Sequence, residues 1–211
     1  MPSKFKEWKK NIMHHKKQIL LALLFLAISL ISMVYSSNYV DSLNTISVPD
    51  LILDSIPAVD LSFLFVWGII IVVAVYILYP LFYKPKKFHY ALGMLSLFIL
   101  VRSTFIILTH LKAPSAAINI TAPSFFSSIS YANDLFFSGH TGLPFLGFLV
   151  YNDDKKMRYF MLFSSIILAI TVLLMHVHYS IDVASAYFIT YGVYVLGTPL
   201  FGNSMKRPQI I

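Results

Sequence analysis

Two short stretches of this chain combine histidine with carboxylates and small polar residues. The first is Asn133-Asp134-Leu135-Phe136-Phe137-Ser138-Gly139-His140-Thr141-Gly142, and the second is His176-Val177-His178-Tyr179-Ser180-Ile181-Asp182. In the second, His178 and Asp182 stand four apart, a spacing that puts both side chains on one face of a helix. A carboxylate placed there accepts the N–H of one imidazole nitrogen and leaves the other free as a nucleophile or base. In the first, Ser138 suits a helix N-cap and Gly139 permits close backbone approach. His140 then falls in a first turn whose free N–H groups and dipole favour an anion such as phosphate. A histidine nucleophile, its orienting carboxylate and a second histidine as general acid are the parts that phosphoryl transfer through a phosphohistidine requires. Arg102, the one Arg or Lys inside an apolar run, adds a cation that can snorkel to the same surface and stabilise phosphate oxygens. The bland readings are a capped helix start with an interfacial His, a buried polar pair, and an Arg paired with a lipid headgroup or a helix carbonyl. A metal site at His176, His178 and Asp182 is disfavoured, because the odd spacing puts the imidazoles on different faces of a helix. No metal or cofactor is expected.

The elements that must carry these residues are set by composition. Of 211 residues, 58% are hydrophobic and 12% charged, and the mean hydropathy is +0.76; such a chain belongs in a bilayer. With no cysteine, a disulfide framework, a zinc-thiolate or iron–sulfur site and a catalytic thiol are all excluded. Apolar runs at about 18–36, 61–83, 88–109, 141–151, 159–177 and 181–201 predict an all-α integral membrane protein with a six-helix transmembrane bundle. The fourth run is short and spans only if it begins near Ser138–His140 and tilts or sits in thinned bilayer. The first resembles a signal peptide's apolar stretch but is too long and lacks a cleavage site, so it reads as a retained helix.

Charge then orients the bundle. The formal charge is +7, and 14 of the 16 Lys and Arg lie in four clusters: Lys4, Lys6, Lys9, Lys10, Lys16 and Lys17; Lys84, Lys86 and Lys87; Lys155, Lys156 and Arg158; and Lys206 and Arg207. That is how membrane topology is written, so the basicity describes orientation and not a nucleic-acid partner. The loops at 37–60 and 110–138 hold Lys112 against Asp41, Asp50, Asp54, Asp60 and Asp134. Both termini are expected in the cytoplasm, and both histidine clusters on the opposite, periplasmic, exterior or lumenal face. Neither cluster was used to assign that face, although 38 positions separate His140 from His178. Tyr35, Tyr39, Trp67, Tyr79, Tyr83 and Tyr131 suit an interfacial aromatic belt. The expected organisation is a basic cytoplasmic segment at 1–17, one catalytic membrane domain at 18–203 and a cytoplasmic tail at 204–211.

The pattern resembles the lipid phosphatase/phosphotransferase (PAP2) superfamily, and within it the sphingomyelin synthase branch. The superfamily's P-S-G-H is similar to Phe137-Ser138-Gly139-His140, and its H-x-x-x-D is similar to His178 through Asp182. The branch's G-D-x-x-x-S-G-H-T resembles residues 133–141, and its H-Y-[ST]-x-D-V-x-x-A-Y-x-x-T resembles 178–190. Fainter echoes are Val48-Pro49-Asp50 and Arg102-Ser103-Thr104. The superfamily's K-x6-R-P is absent, Thr171-Val172 replaces its later S-R, and Ala132-Asn133 replaces the branch's Cys-Gly. The resemblance implies that His178 attacks phosphorus, Asp182 orients it and His140 protonates the departing lipid oxygen. Arg102, Ser138, Gly139, Asp134 and Tyr179 are the candidate substrate-binding residues. The implied partners are a phospholipid donor and a lipid-alcohol acceptor, ceramide-like or diacylglycerol-like, and water in place of that acceptor makes a lipid phosphate phosphatase. An intramembrane serine protease would need Gly at 136, where Phe stands. A transporter would need interrupted helices in two matching halves, and Pro144 has no counterpart.

Overall fold

The computed structural model describes residues 4–120 and 135–202. Among these the chain is all-helical: α1 (Lys4–His14), α2 (Lys16–Asp41), α3 (Ser62–Tyr83), α4 (Phe88–Leu108), α5 (Gly139–Val150), α6 (Lys155–Leu174) and α7 (Ser180–Phe201). Short 3-10 turns occupy Leu53–Ser55 and Pro85–Lys87, and an isolated bridge pairs Ile46 with Leu111. Helices α2 to α7 fall on the six apolar runs. Five of them are long and apolar enough to cross a membrane, α5 being the shorter apolar helix.

Their surfaces explain how they pack. Helix α2 is apolar all round and turns Leu20, Leu21, Leu24, Ile28 and Ile31 outward, as a helix in lipid does. Its inner side is small, with Ala22, Ser29, Ser36 and Ser37 buried against α4. The Ser29 and Ser36 hydroxyls donate to the Phe25 and Met33 carbonyls at 2.8 and 2.9 Å, so neither is left bare among apolar neighbours. Helix α4 is central: 56% of its most apolar window is buried, against 22–33% in the other four. The main core joins Val72 and Tyr76 of α3, Met94 and Phe98 of α4, Leu146 of α5, Leu168 of α6 and Val193 of α7.

Several boundaries differ from the sequence expectation. The basic N-terminal segment forms a separate amphipathic helix, α1, whose Trp8 indole donates to the Leu81 carbonyl at 2.7 Å. Helix α2 continues to Asp41, five residues past the expected end. Helix α6 starts at Lys155 because Asp154 caps it, accepting from the Met157 N–H at 3.1 Å. Its end comes at Leu174, where His176 takes a left-handed φ of 54°. The Val177 N–H then bonds the Val172 carbonyl and the His176 N–H the Leu173 carbonyl, a Schellman stop with His where Gly is usual. Tyr79, expected in the aromatic belt, donates its hydroxyl to Asp154 at 2.6 Å, at the lysine-rich end of the bundle.

Polar contacts collect at two ends. At one, Lys84 and Lys87 meet Asp153 at 2.8 and 2.6 Å. At the other, the connections between helices are bonded together: Lys112 N–H to the Ile46 carbonyl, Val59 N–H to Leu174, Ile118 N–H to Met175 and Ser138 N–H to Asp182. Both histidine clusters lie at this second end. Asp134, Tyr131 and the basic tail residues Lys206 and Arg207 lie outside the described residues.

Candidate active site

Ser138 caps α5, its hydroxyl accepting from the Thr141 N–H at 3.4 Å. This cap puts His140 in the first helical turn. From α3 the Phe65 ring stacks on the imidazole, centroids 3.9 Å apart and planes 25° from parallel. The His140 Nε2 atom is buried with no hydrogen-bond partner among the described residues. The helix is held from two further sides. Ser165 of α6 donates to the Thr141 carbonyl at 2.8 Å, and at Gly142 an added Cβ would lie 2.8 Å from both the Phe98 ring and the Thr190 hydroxyl.

Arg102 does not snorkel outward. It is 8% exposed and folds against the start of α5, its Nε donating to the Phe137 carbonyl at 2.8 Å. A Cβ at Gly139 would stand 3.3 Å from that Nε, so a glycine there lets the guanidinium lie along the helix end. The Gly139 and His140 backbone N–H groups are bonded to nothing among the described residues. Two free N–H groups of a helix start beside a guanidinium are a ready cradle for phosphate oxygens.

The second histidine arrives by a different route from the one its spacing predicts. His178 is not on a helix: it lies in the bend between the α6 stop and the start of α7 at Ser180. The pairing with Asp182 forms nonetheless, Nδ1 to Oδ2 at 3.4 Å, because Asp182 is in the first turn of α7 and reaches back over its own N-terminus. The same oxygen accepts from the Tyr179 N–H at 2.9 Å, while Oδ1 is buried without a partner among the described residues. Tyr179 is 1% exposed, and its hydroxyl accepts from the Val48 N–H and donates to the Lys112 carbonyl. It ties two connections to the site.

One peptide-level link and one electrostatic proximity join the halves. The Ser138 N–H donates to the backbone carbonyl of Asp182 at 3.1 Å, and His140 lies within electrostatic reach of both His178 and Arg102. The structure thus brings together His140, His178, Asp182, Arg102, Ser138 and Gly139. No group of three His, Asp or Glu side chains suited to a metal ion occurs among the described residues.

Two contributors carry little sequence signal. Asp50 accepts from the Ser180 N–H at 2.7 Å through Oδ2, and from the Ile52 and Leu53 N–H groups at 2.9 and 3.1 Å through Oδ1. It thereby fastens the 42–61 connection to the helix that bears Asp182. Burial pushes its carboxyl up, but the bonds from Ser180, Leu53 and Ile52 outweigh that and hold it below the ordinary carboxylate range. Asp50 is visible in the sequence only within Val48-Pro49-Asp50. Phe65 has no signal at all, since one apolar residue in an apolar run announces no partner.

The fold and site define a helical bundle of membrane type with an imidazole–carboxylate pair, a second imidazole and a guanidinium beside a helix start at one polar end. The comparison with known families agrees: the profile described as PAP2 superfamily C-terminal matches residues 132–198, a stretch containing both histidines and Asp182. Members of that superfamily are phosphatases and phosphotransferases. No curated protein and no solved structure matches the chain.

Proposed function

We propose that this protein is a lipid head-group phosphotransferase, similar to sphingomyelin and ceramide-phosphoethanolamine synthases. It moves a phospho-head group from a glycerophospholipid to a lipid hydroxyl. The observation that carries the reading is the backbone link from Ser138 to Asp182, which holds the start of α5, with His140, beside the His178–Asp182 pair. In the first half-reaction the free ring nitrogen of His178 attacks phosphorus, forming the N–P bond as the bond to the diacylglycerol oxygen breaks. Asp182 balances the positive charge that grows on the ring, and His140 hands its proton to the departing oxygen. Neutral His140 then takes a proton from the incoming hydroxyl, whose oxygen attacks phosphorus and returns His178 to its starting state. Arg102 and the α5 N–H groups stabilise the phosphoryl oxygens, a kind of contribution worth about 3–4 kcal/mol in related chemistry.

With the lysine-rich end in the cytoplasm, α2 to α7 make six spans, both termini are cytoplasmic and the site opens to the extracytoplasmic leaflet. The short α5 crosses where the bilayer is thinned around the site.

The test incubates purified protein with phosphatidylcholine or phosphatidylethanolamine, with and without ceramide, and reads products by lipid mass spectrometry. Acceptor-dependent head-group transfer, abolished in His140→Ala and His178→Ala with insertion intact, is the expected result. Release of phosphocholine or phosphoethanolamine without a lipid acceptor overturns obligate transfer and makes water the acceptor at the same site. In His140→Ala, a labelled donor whose leaving group needs no proton should mark position 178, and label elsewhere would mean that the nucleophile is misassigned.

A further inference from the structure

The polar end of the bundle opposite the two histidines carries a cleft that the chemistry above does not use. It lies between α1 and the turn that joins α3 to α4, has a volume of about 440 Å³, and is lined among others by Lys4, Trp8, Tyr83, Lys84, Lys86 and Lys87. That volume is within the range of small-ligand sites, about 300–1,000 Å³.

Its charge is not balanced from within. Lys84 and Lys87 share Asp153 at 2.8 and 2.6 Å, and Asp154 stands 4.0 Å from Lys84. Burial pushes the Asp153 carboxyl up and the two lysines outweigh it, keeping the group below its ordinary value. Lys4 and Lys86 have no ion pair among the described residues, and the one carboxylate lining the cleft is Glu7. The cleft therefore presents uncompensated ammonium groups from two separate elements.

Its setting is amphiphilic. Phe5, Trp8 and Ile12 form one stripe of α1, and Lys6, Lys10 and His14 lie on the other side, the pattern of a helix lying in the membrane interface. Phe82 and Tyr83 close the cleft on the bundle side and are 60% and 79% exposed. Below them Leu78, one turn earlier on α3, is also exposed. An anion held by the lysines would thus have an outward-facing apolar helix surface beneath it, where acyl chains lie.

We propose that this cleft binds the phosphate of an anionic glycerophospholipid from the leaflet opposite the histidine site. The head group sits among Lys4, Lys86 and the Trp8 edge, and the chains run along the exposed face of α3. A soluble phosphate would satisfy the lysines but leave Phe82, Tyr83 and Leu78 without a role, so the ligand is lipid.

The full-length protein is placed in phosphatidylcholine nanodiscs with and without phosphatidylglycerol, in a Trp67→Phe background so that Trp8 is the only indole. We expect a saturable shift in Trp8 emission with rising phosphatidylglycerol and none in phosphatidylcholine alone. Lys4→Gln and Lys86→Gln should each weaken the apparent affinity about five-fold, the effect of one interfacial lysine, while Lys9→Gln and Lys10→Gln, which do not line the cleft, leave it within about two-fold. Equal weakening by both pairs would show diffuse attraction to α1 and overturn the site. Saturation by glycerophosphate in phosphatidylcholine nanodiscs at the same affinity would overturn the lipid assignment. Retained head-group transfer in Lys86→Gln keeps this outcome separate from that of the histidine site.

Discussion

Replacing Asp182 by Asn separates two tasks that one carboxylate performs. Its Oδ2 accepts from the Tyr179 N–H at 2.9 Å and faces Nδ1 of His178 at 3.4 Å. Asn keeps an oxygen for the first task, and Asn and Asp are nearly equal near a helix start, so thermal unfolding should stay close to that of the wild type. The second task depends on charge. In the proposed reaction the His178 ring becomes cationic as it bonds to phosphorus, and a full negative charge about 4 Å away is worth about 4 kcal/mol at an effective dielectric constant of about 20. Removing it should slow the first half-reaction by about three orders of magnitude. Single-turnover formation of labelled phosphohistidine measures that step directly, and melting in the same detergent checks the cap. A loss of less than about tenfold with unchanged melting would refute the assignment of Asp182 as counter-charge. A large fall in melting temperature would show instead that the carboxylate's role is in holding α7.

Asp50→Ala should destabilise the protein by about 2–4 kcal/mol at neutral pH, because three N–H groups lose a charged acceptor together. Since the native carboxyl lies below its ordinary value of 3.8, it holds fewer protons folded than unfolded. Its contribution is full above that value and disappears as pH falls through the lower native one, so the wild-type and variant unfolding curves should converge in acid; a gap that widens in acid would contradict the linkage. Gly142→Ala forces a Cβ to within 2.8 Å of Phe98 and Thr190 and should cost about 1–3 kcal/mol, whereas Gly192→Ala, with nothing within 4 Å, should be neutral or gain up to about 1 kcal/mol. Melting temperatures of the two variants check the contrast.

The helices were legible wherever the signal was local. Each apolar run became a helix, and Ser138 capped α5 as its side chain and place before Gly139-His140 foretold. Local spacing misled once: the four-residue interval from His178 to Asp182 reads as one helical face, but the α6 stop at His176 leaves His178 in a bend. The pair forms all the same, because a first-turn carboxylate can reach back as readily as across. Arg102 shows the opposite case. Its depth in the span suggested a side chain climbing to the headgroups, yet the Phe137 carbonyl supplies a partner inside the protein at 2.8 Å, and a cation in lipid takes the nearer acceptor. Phe65 against His140 and Asp50 against Ser180 join residues 75 and 130 positions apart. Contacts of that kind are decided by how helices are stacked, which hydropathy alone does not encode.

The hydrogen bond from Ser138 to the carbonyl of Asp182 has a mechanical consequence. Bilayers of different thickness are met by tilting whole helices, and tilt moves the far ends of two helices most when they are joined only at a distance. Here α5 and α7 are linked peptide to peptide at the ends that lie beside His140 and His178. A change of tilt therefore pivots about the polar end and is taken up at the opposite one, around Val150 and Phe201. In the proposed bilayer setting, the spacing of the two imidazoles is insulated from the thickness of the membrane around them.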